Sequence, residues 1–451
     1  MGGKYSVTGQ GVIDEVAGVM LKRILLIVIG VVVLGTVGFG VFAWRPSIAK
    51  IPQPAATSFA PALVAKGEVL ASAGYCAACH TVRGGQPFAG GYAMATQFGT
   101  IYSTNITPDR KTGIGGWSEA AFERAMRHGV RRDGAHLFPA FPYDHFSKLS
   151  DGDVAALYAY FMTRPPVEAK EISSTIPFPL NIRALQAGWK LLFFHPDRFV
   201  ADPKQSAEWN RGAYLAEGLS HCGACHTPRG SLGAEKHDQA YAGAPIDGWI
   251  APSLTRTNQA PVPWSKDELV AYLATGVSQY HGTAAGPMGA VARGLSKLPP
   301  ADVAAIATYF ASRNGSAAQG TQGTQGDTAI RQAMTREGIG LGLQYDPAAR
   351  LYAGACASCH YNGKALNPLR PDLALNSAVS MDDPTNLVRV ILHGVSAEDG
   401  APGVVMPGFS GFSDADIARL ANWLRVTRTG KPGWADLQNK VAAIRAQDRG
   451  Q

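Results

Sequence analysis

The six cysteines of the chain fall into three pairs of the form Cys-x-x-Cys, and a histidine directly follows each pair. The residues are Cys76, Cys79 and His80; Cys222, Cys225 and His226; and Cys356, Cys359 and His360. Two thiols at this spacing can form thioethers with the two vinyl groups of a haem, and the adjacent histidine then becomes the proximal iron ligand. Structural zinc would need two such pairs close together, and disulfides within the pairs would leave the three histidines unexplained. We therefore expect three covalently attached haems c.

The sixth iron ligand is predicted from a pattern that recurs downstream of each motif. A glycine (Gly129, Gly276 and Gly394) is followed twelve positions later by Phe141, Met288 and Met406, respectively. Methionine opposite histidine is the usual arrangement of an electron-transfer haem. Met288 and Met406 are therefore the predicted sixth ligands of the second and third haems.

The first copy breaks this pattern, because the phenyl ring of Phe141 cannot bind iron. His145, four positions further along the same loop, is the predicted replacement, and bis-histidine ligation would give this haem the lowest potential of the three. Met126, Met94, His136 and an open five-coordinate iron are the alternatives.

The recurring pattern predicts three copies of one all-α unit, a class I cytochrome c domain, each closed by a helix. Apolar stripes at i, i+3, i+4 and i+7 place the closing helices at 151–163, 302–312 and 414–426. The predicted organisation is an N-terminal tail and anchor (1–49), domain 1 (60–165), a linker (166–205), domain 2 (206–314), a flexible linker (315–340), domain 3 (341–428) and a C-terminal tail (429–451).

The N-terminal region contains an uncharged apolar run, about 24–44, that is long enough to span a bilayer as a single helix. Lys22 and Arg23 precede it, so the N-terminus is predicted to be cytoplasmic and the haem domains periplasmic, on the bacterial inner membrane. A cleaved signal peptide is the alternative. The net charge of +7 suits an anionic membrane or an acidic partner. Because no basic run with interleaved aromatics is present, we do not expect nucleic-acid binding.

The two linkers differ in character. In the first, Leu185, Trp189, Leu192 and Phe193 share one face of an amphipathic helix, which would either pack between domains or contact a membrane surface or a partner. In the second, the segment 320–326 repeats Gly, Thr and Gln, which predicts a flexible tract.

Several segments resemble the triheme cytochrome c subunits of membrane-bound bacterial dehydrogenases that oxidise alcohols, aldehydes or sugar acids. The resemblance covers 61–427 and rests on the segments 75–80, 98–109, 113–117, 159–161, 177–194 and 406–409. The anchor, the segment 44–49 after it and Phe141 look most like the subunit that serves aldehyde dehydrogenases and related hydroxylases.

The resemblance implies an electron-transfer subunit whose partner carries molybdopterin and a 2Fe-2S centre, with ubiquinone as acceptor. A partner carrying PQQ, as in alcohol dehydrogenases, or FAD, as in gluconate dehydrogenases, is the alternative. A haem enzyme of peroxidase type, using an open first haem, is the rival class. No catalytic residues are predicted on this chain.

Overall fold

The computed structural model describes residues 8–316, 323–337, 345–360, 372–395 and 405–448. Helix α1 (Thr8–Ala43) contains the predicted apolar run and begins well before it. The most apolar part of Glu15–Ala43 has a mean hydropathy of 2.8, and none of it is buried in the protein. By length and composition α1 can therefore cross a membrane.

Domain 1 follows a 3-10 turn at Ala56–Ser58. Its elements are α2 (Pro61–Ala73), α3 (Cys76–His80), β1 (Ala93–Thr96), β2 (Gly99–Tyr102), α4 (Glu119–His128), α5 (Tyr143–Phe146) and α6 (Asp151–Met162). The first and last of these helices cross closely at Gly67, where a Cβ would lie 2.0 Å from the carbonyl oxygen of Ala156. Only glycine allows this approach.

The first linker carries α7 (Leu185–Phe193), as predicted. It packs against α1, where Gly188 meets the Phe39 ring. Trp189 turns towards the domains and donates from Nε1 to the carbonyl of Leu232, 2.9 Å away. Leu191 and Leu192 remain 67% and 66% exposed, so the predicted shared face is divided between domain packing and solvent.

Domain 2 repeats the architecture of domain 1. Its elements are α8 (Ala207–Tyr214), α9 (Gly223–His226), β3 (Ala244–Ile246), β4 (Trp249–Ala251), α10 (Lys266–Thr275), β5 (Val277–Ser278), β6 (Gly282–Thr283), α11 (Pro287–Leu295) and α12 (Pro300–Asn314). Gly212 approaches Ala305 as Gly67 approaches Ala156. Gly212 lies ten positions before its haem motif rather than nine, and a π-turn at Leu215–Leu219 accommodates the extra residue.

The second linker differs from the predicted flexible tract, because 323–337 forms a helix, α13 (Gly323–Glu337). Ala329, Ile330 and Ala333 pack with Val262 and Leu375 in a small core. Residues 317–322 and 338–344 lie outside the described part of the chain.

Domain 3 contains α14 (Pro347–Ala355), α15 (Ala357–His360), α16 (Ser377–Ser380), α17 (Thr385–His393) and α18 (Asp414–Leu424). A π-turn at Arg425–Thr429 follows. The predicted C-terminal tail includes a further helix, α19 (Leu437–Asp448), which buries Leu437, Val441 and Ile444 against domain 3.

The strands that the structure describes form three antiparallel two-stranded hairpins, in which Ala93 lies opposite Tyr102, Ala244 opposite Ala251, and Val277 opposite Thr283. The all-α prediction is thus confirmed. The closing helices α6, α12 and α18 match their predicted positions. Domains 1 and 2 share one hydrophobic core, whereas domain 3 has its own.

Candidate haem sites

The histidines of the first two motifs are held in the same way. Nδ1 of His80 lies 2.7 Å from the carbonyl oxygen of Thr104, and Nδ1 of His226 lies 2.7 Å from that of Pro252. In each case Nδ1–H donates, which leaves Nε2 with its lone pair as the iron-binding atom. Burial lowers the pKa of both side chains, which keeps them neutral. The two carbonyl acceptors were not predicted, because a backbone group carries no sequence signal.

The motif cysteines are all free thiols. Burial, reinforced by the neighbouring thiol of the pair, raises the pKa of Cys76 and of Cys222 to about 12. A redox-active pair needs a lowered pKa, because the thiolate is the reactive form. These protonated, apolar pairs suit covalent attachment to haem vinyl groups.

One cavity of about 540 Å³ joins the motifs of domains 2 and 3. Its walls include Cys222, Cys225, His226 and Met288 from domain 2, and Cys356, Cys359, His360 and Met406 from domain 3. The structure therefore brings each predicted histidine and methionine pair of these domains to the same cavity. Most of the remaining wall is aliphatic or aromatic, as the porphyrin plane requires.

A buried histidine tests whether this cavity fits haem. His281 stacks on Trp264 with ring centroids 3.7 Å apart, is 5% exposed and lines the cavity. Neither ring nitrogen has a hydrogen-bond partner in the described protein. A buried nitrogen without a partner is costly, and a haem carboxylate at the cavity edge would satisfy it. The repeated sequence pattern did not identify His281. This residue lies a few positions after the end of α10.

The same hydrogen bonds recur at equivalent positions of the repeated sequence pattern. Ser118 and Ser265 cap α4 and α10 by accepting from the amide three residues ahead. After the glycine that ends each helix, the carbonyls of Gly129 and Gly276 accept from the amide eight residues later, each at 2.7 Å. In domain 3, Val395 and Met406 exchange backbone hydrogen bonds in the corresponding loop.

Comparison with known proteins agrees with this architecture. Residues 64–165 and 210–314 match the family model for cytochrome c, and 344–424 match the model for cytochrome c oxidase, cbb3-type, subunit III. The fructose dehydrogenase cytochrome subunit of Gluconobacter japonicus is 39% identical over 80% of this chain and 78% of its own length. The chain belongs to the cytochrome c subunits of membrane dehydrogenases.

Two further relatives of this cytochrome subunit are informative. The gluconate 2-dehydrogenase cytochrome c subunit of Pantoea cypripedii is 41% identical over 81% of this chain and 85% of its own length. A nicotinate dehydrogenase subunit of Pseudomonas putida is 46% identical over 89% of this chain, which spans only 33% of that protein. Haem c, when bound, supplies the one-electron carrier of such a subunit.

His145, the predicted sixth ligand of the first haem, contacts domain 2 in the structure of the cytochrome subunit. Its Nδ1 lies 2.7 Å from the carbonyl oxygen of Glu217, and its Nε2 lies 2.9 Å from Oε1 of Glu235. Both ring nitrogens are engaged, so iron ligation by His145 would require one of these hydrogen bonds to break. Phe141, in the same loop, packs on the core shared by domains 1 and 2. The centroids of the Phe141 and Phe146 rings are 5.4 Å apart.

The alternatives to His145 occupy different places in the cytochrome subunit. His136 is also engaged at both nitrogens, by the carbonyl of Ala43 at 2.8 Å and by Nζ of Lys190 at 3.2 Å. Met94 lies on β1, in the hairpin that leads to Thr104, whose carbonyl holds His80. Met126 lies on α4, buried in the core.

Proposed function

We propose that the chain carries three haems c and passes electrons from the catalytic subunit of a periplasmic dehydrogenase to ubiquinone. The observation that carries this proposal is the cavity that holds the attachment cysteines, histidines and methionines of two domains together. Two haems in one apolar cavity would exchange electrons without any movement of the protein.

A third haem site lies next to this cavity. Tyr75, which directly precedes Cys76, lines the cavity and shares a hydrogen bond of 2.7 Å with Nδ1 of His221. The first attachment site therefore lies at the wall of the second. The haem number is tested by the mass of the purified chain, which should exceed the polypeptide mass by three haems. A mass with two haems or with zinc would refute it.

For the partner, a catalytic subunit with molybdopterin and a 2Fe-2S centre is proposed. Nicotinate has no alcohol group to oxidise, so its dehydrogenation must place an oxygen atom on a ring carbon, which is hydroxylase chemistry. The similarity to the nicotinate dehydrogenase subunit thus supports a partner of the hydroxylase or aldehyde dehydrogenase type. Similarity to the gluconate and fructose subunits supports the alternative, a PQQ or FAD partner. Purification of the native complex decides between them, because molybdenum, PQQ and flavin are each measured directly.

Helix α1 is proposed as an uncleaved anchor of the inner membrane, with the haem domains in the periplasm. The burial and the hydrogen bond of one residue at its end support retention rather than cleavage. Ala43 is buried, and its carbonyl accepts from His136 of domain 1. In a detergent-purified complex, substrate should reduce the haems and a soluble ubiquinone analogue should reoxidise them. Haems that stay reduced after the quinone is added would refute ubiquinone as the acceptor.

The rival function is a haem enzyme of peroxidase type, and Phe141 at the sixth-ligand position is the observation that favours it. Such an enzyme needs an iron with an open coordination site. Rapid binding of carbon monoxide by one haem in three would support the enzyme, whereas absence of binding would support electron transfer alone.

A further inference from the structure

The helix before each sixth-ligand loop carries one equivalent buried position. This position is Met126 on α4, Leu273 on α10 and Ile391 on α17. Each lies three residues before the glycine that ends its helix. The exposed fractions are 7%, 7% and 4%. The helix ends and the burial therefore assign the three residues to the same place in the three domains.

In domains 2 and 3 this helix position and the loop position face the same cavity. Leu273 and Met288 both line it, and so do Ile391 and Met406. The shared core shows the same relation in domains 1 and 2, because Met126 and Leu273 are buried in it while Phe141 and Met288 pack against it. In domains 2 and 3 the helix residue and the residue that would bind iron thus border the same space.

Fifteen residues separate the helix position from the loop position in every domain. Domains 2 and 3 have an aliphatic residue on the helix and methionine in the loop. Domain 1 has the reverse, Met126 on the helix and Phe141 in the loop. On the haem proposed for domain 1, we infer that Met126 supplies the sixth ligand and that Phe141 fills the space its aliphatic counterparts occupy elsewhere.

The chemistry of the remaining groups agrees with this exchange. His145 and His136 have both ring nitrogens engaged. Met94 lies on β1, in the hairpin that leads to the carbonyl that holds His80. A methionine side chain is unbranched and has three rotatable bonds, so its thioether can adjust to a metal from a helix as well as from a loop. Phenylalanine is large and apolar, and it excludes water from the same site.

The exchange makes all three haems His/Met-ligated. The first haem then keeps the raised potential that a thioether ligand gives and is not set apart as a low-potential bis-histidine haem.

The test is the near-infrared charge-transfer band of methionine-ligated ferric haem, measured on the full-length chain per covalently bound haem. The wild type should show three His/Met haems. Met126→Leu should remove one third of the band and create one haem that binds carbon monoxide. Met162→Leu, a buried methionine on α6 of the same domain, is the matched control and should change neither signal.

A rescue variant separates ligation from packing. Met126→Leu with Phe141→Met restores the arrangement of domains 2 and 3, so it should recover the full band and lose carbon monoxide binding. If the single variant does not assemble, this double variant and the wild-type band decide the question. Two His/Met haems in a wild-type chain whose mass contains three haems would overturn the inference. A mass with fewer haems would instead overturn the proposed haem number.

Discussion

Replacing His145 by alanine should loosen the junction of domains 1 and 2 and leave iron ligation unchanged. The imidazole bridges the two domains, because it belongs to α5 and both of its partners, Glu217 and Glu235, belong to domain 2. Burial by itself would lower the pKa of His145, but the hydrogen bond and the charge of Glu235, together with the charge of Asp144, raise it to about 9. The protonated ring then donates from both nitrogens.

The magnitude of the effect follows from this shift. A rise from 6.5 to about 9 corresponds to roughly 3 kcal/mol of stabilisation of the folded state. Truncation would leave the Glu235 carboxylate, whose side chain is 6% exposed, with Arg229 at 3.4 Å. Loss of one partner of a buried pair costs about 3–5 kcal/mol, which agrees. Because domains 1 and 2 share a core, they should unfold together, with a midpoint lowered by roughly 6–12 °C.

The pH dependence gives the decisive measurement. The pKa of His145 is raised, so its stabilisation is complete below about 6.5 and is lost as pH rises through about 9. The pKa of Glu235 is lowered in net: burial raises it, but the His145 hydrogen bond and charge outweigh burial, so its contribution is lost only as pH falls through that lowered value. Thermal midpoints of wild type and His145→Ala should therefore differ most near pH 6, and the difference should shrink as pH rises through about 9.

Glu235→Gln serves as the matched control for His145→Ala, since it removes the charge that raises the pKa. An equal difference in midpoint at pH 6 and pH 10 would refute the electrostatic account. Loss of a bis-histidine band in the near-infrared spectrum of His145→Ala would show instead that His145 does bind iron.

Three further predictions concern the anchor, the second haem site and the helix crossing. Deletion through Trp44 should leave residual vesicle binding, roughly 1–2 kcal/mol for each of the exposed Leu191 and Leu192, and Leu191→Glu with Leu192→Glu should abolish it in a flotation assay. If the double glutamate variant still bound vesicles, a different surface of the protein would be responsible. His281→Phe should lower the potential of one haem in a redox titration without changing the ligation spectrum, because a haem carboxylate would lose the imidazole as its hydrogen-bond donor. An unchanged potential would show that His281 does not contact the haem. Gly67→Ala should destabilise the folded protein by about 1–3 kcal/mol, because a Cβ cannot fit against Ala156. Gly152→Ala is the control and should not lower the thermal midpoint, because a Cβ there meets only the Lys66 amine at 3.9 Å.

Much of the architecture could be predicted because it rests on local, periodic signals. Apolar stripes and acidic first turns define the closing helices, two of which also have serine caps, and these signals need no knowledge of distant contacts. The helix α13 could not be predicted this way, because its first turn lies in the Gly/Thr/Gln tract, which has low intrinsic helicity. Packing of Ala329, Ile330 and Ala333 against a small core stabilises it instead. For α19 the signal was present, since Leu437, Val441 and Ile444 are spaced by four and three.

The contacts of His145 could not be predicted for a different reason. Sequence distance does not reveal which domain a loop side chain faces. Glu235, its partner, lies 90 residues away. The fifteen-residue spacing between Met126 and Phe141 was visible in the sequence, but it gained meaning only when the helix position proved to line the cavity in the other domains.

The order of the domains bears on the direction of electron flow. Domain 1 holds the end of α1 through His136 and α7, so its haem site is the one tied to the proposed anchor. Domain 2 contacts both neighbours, through Tyr75 and His221 on one side and through Ile250 and Asn386 on the other. A quinone acceptor dissolved in the bilayer would therefore meet the first haem, and the dehydrogenase would deliver electrons further along the chain. This order is the opposite of the one that a low-potential, bis-histidine first haem would suit, and a His/Met haem at that position removes the conflict.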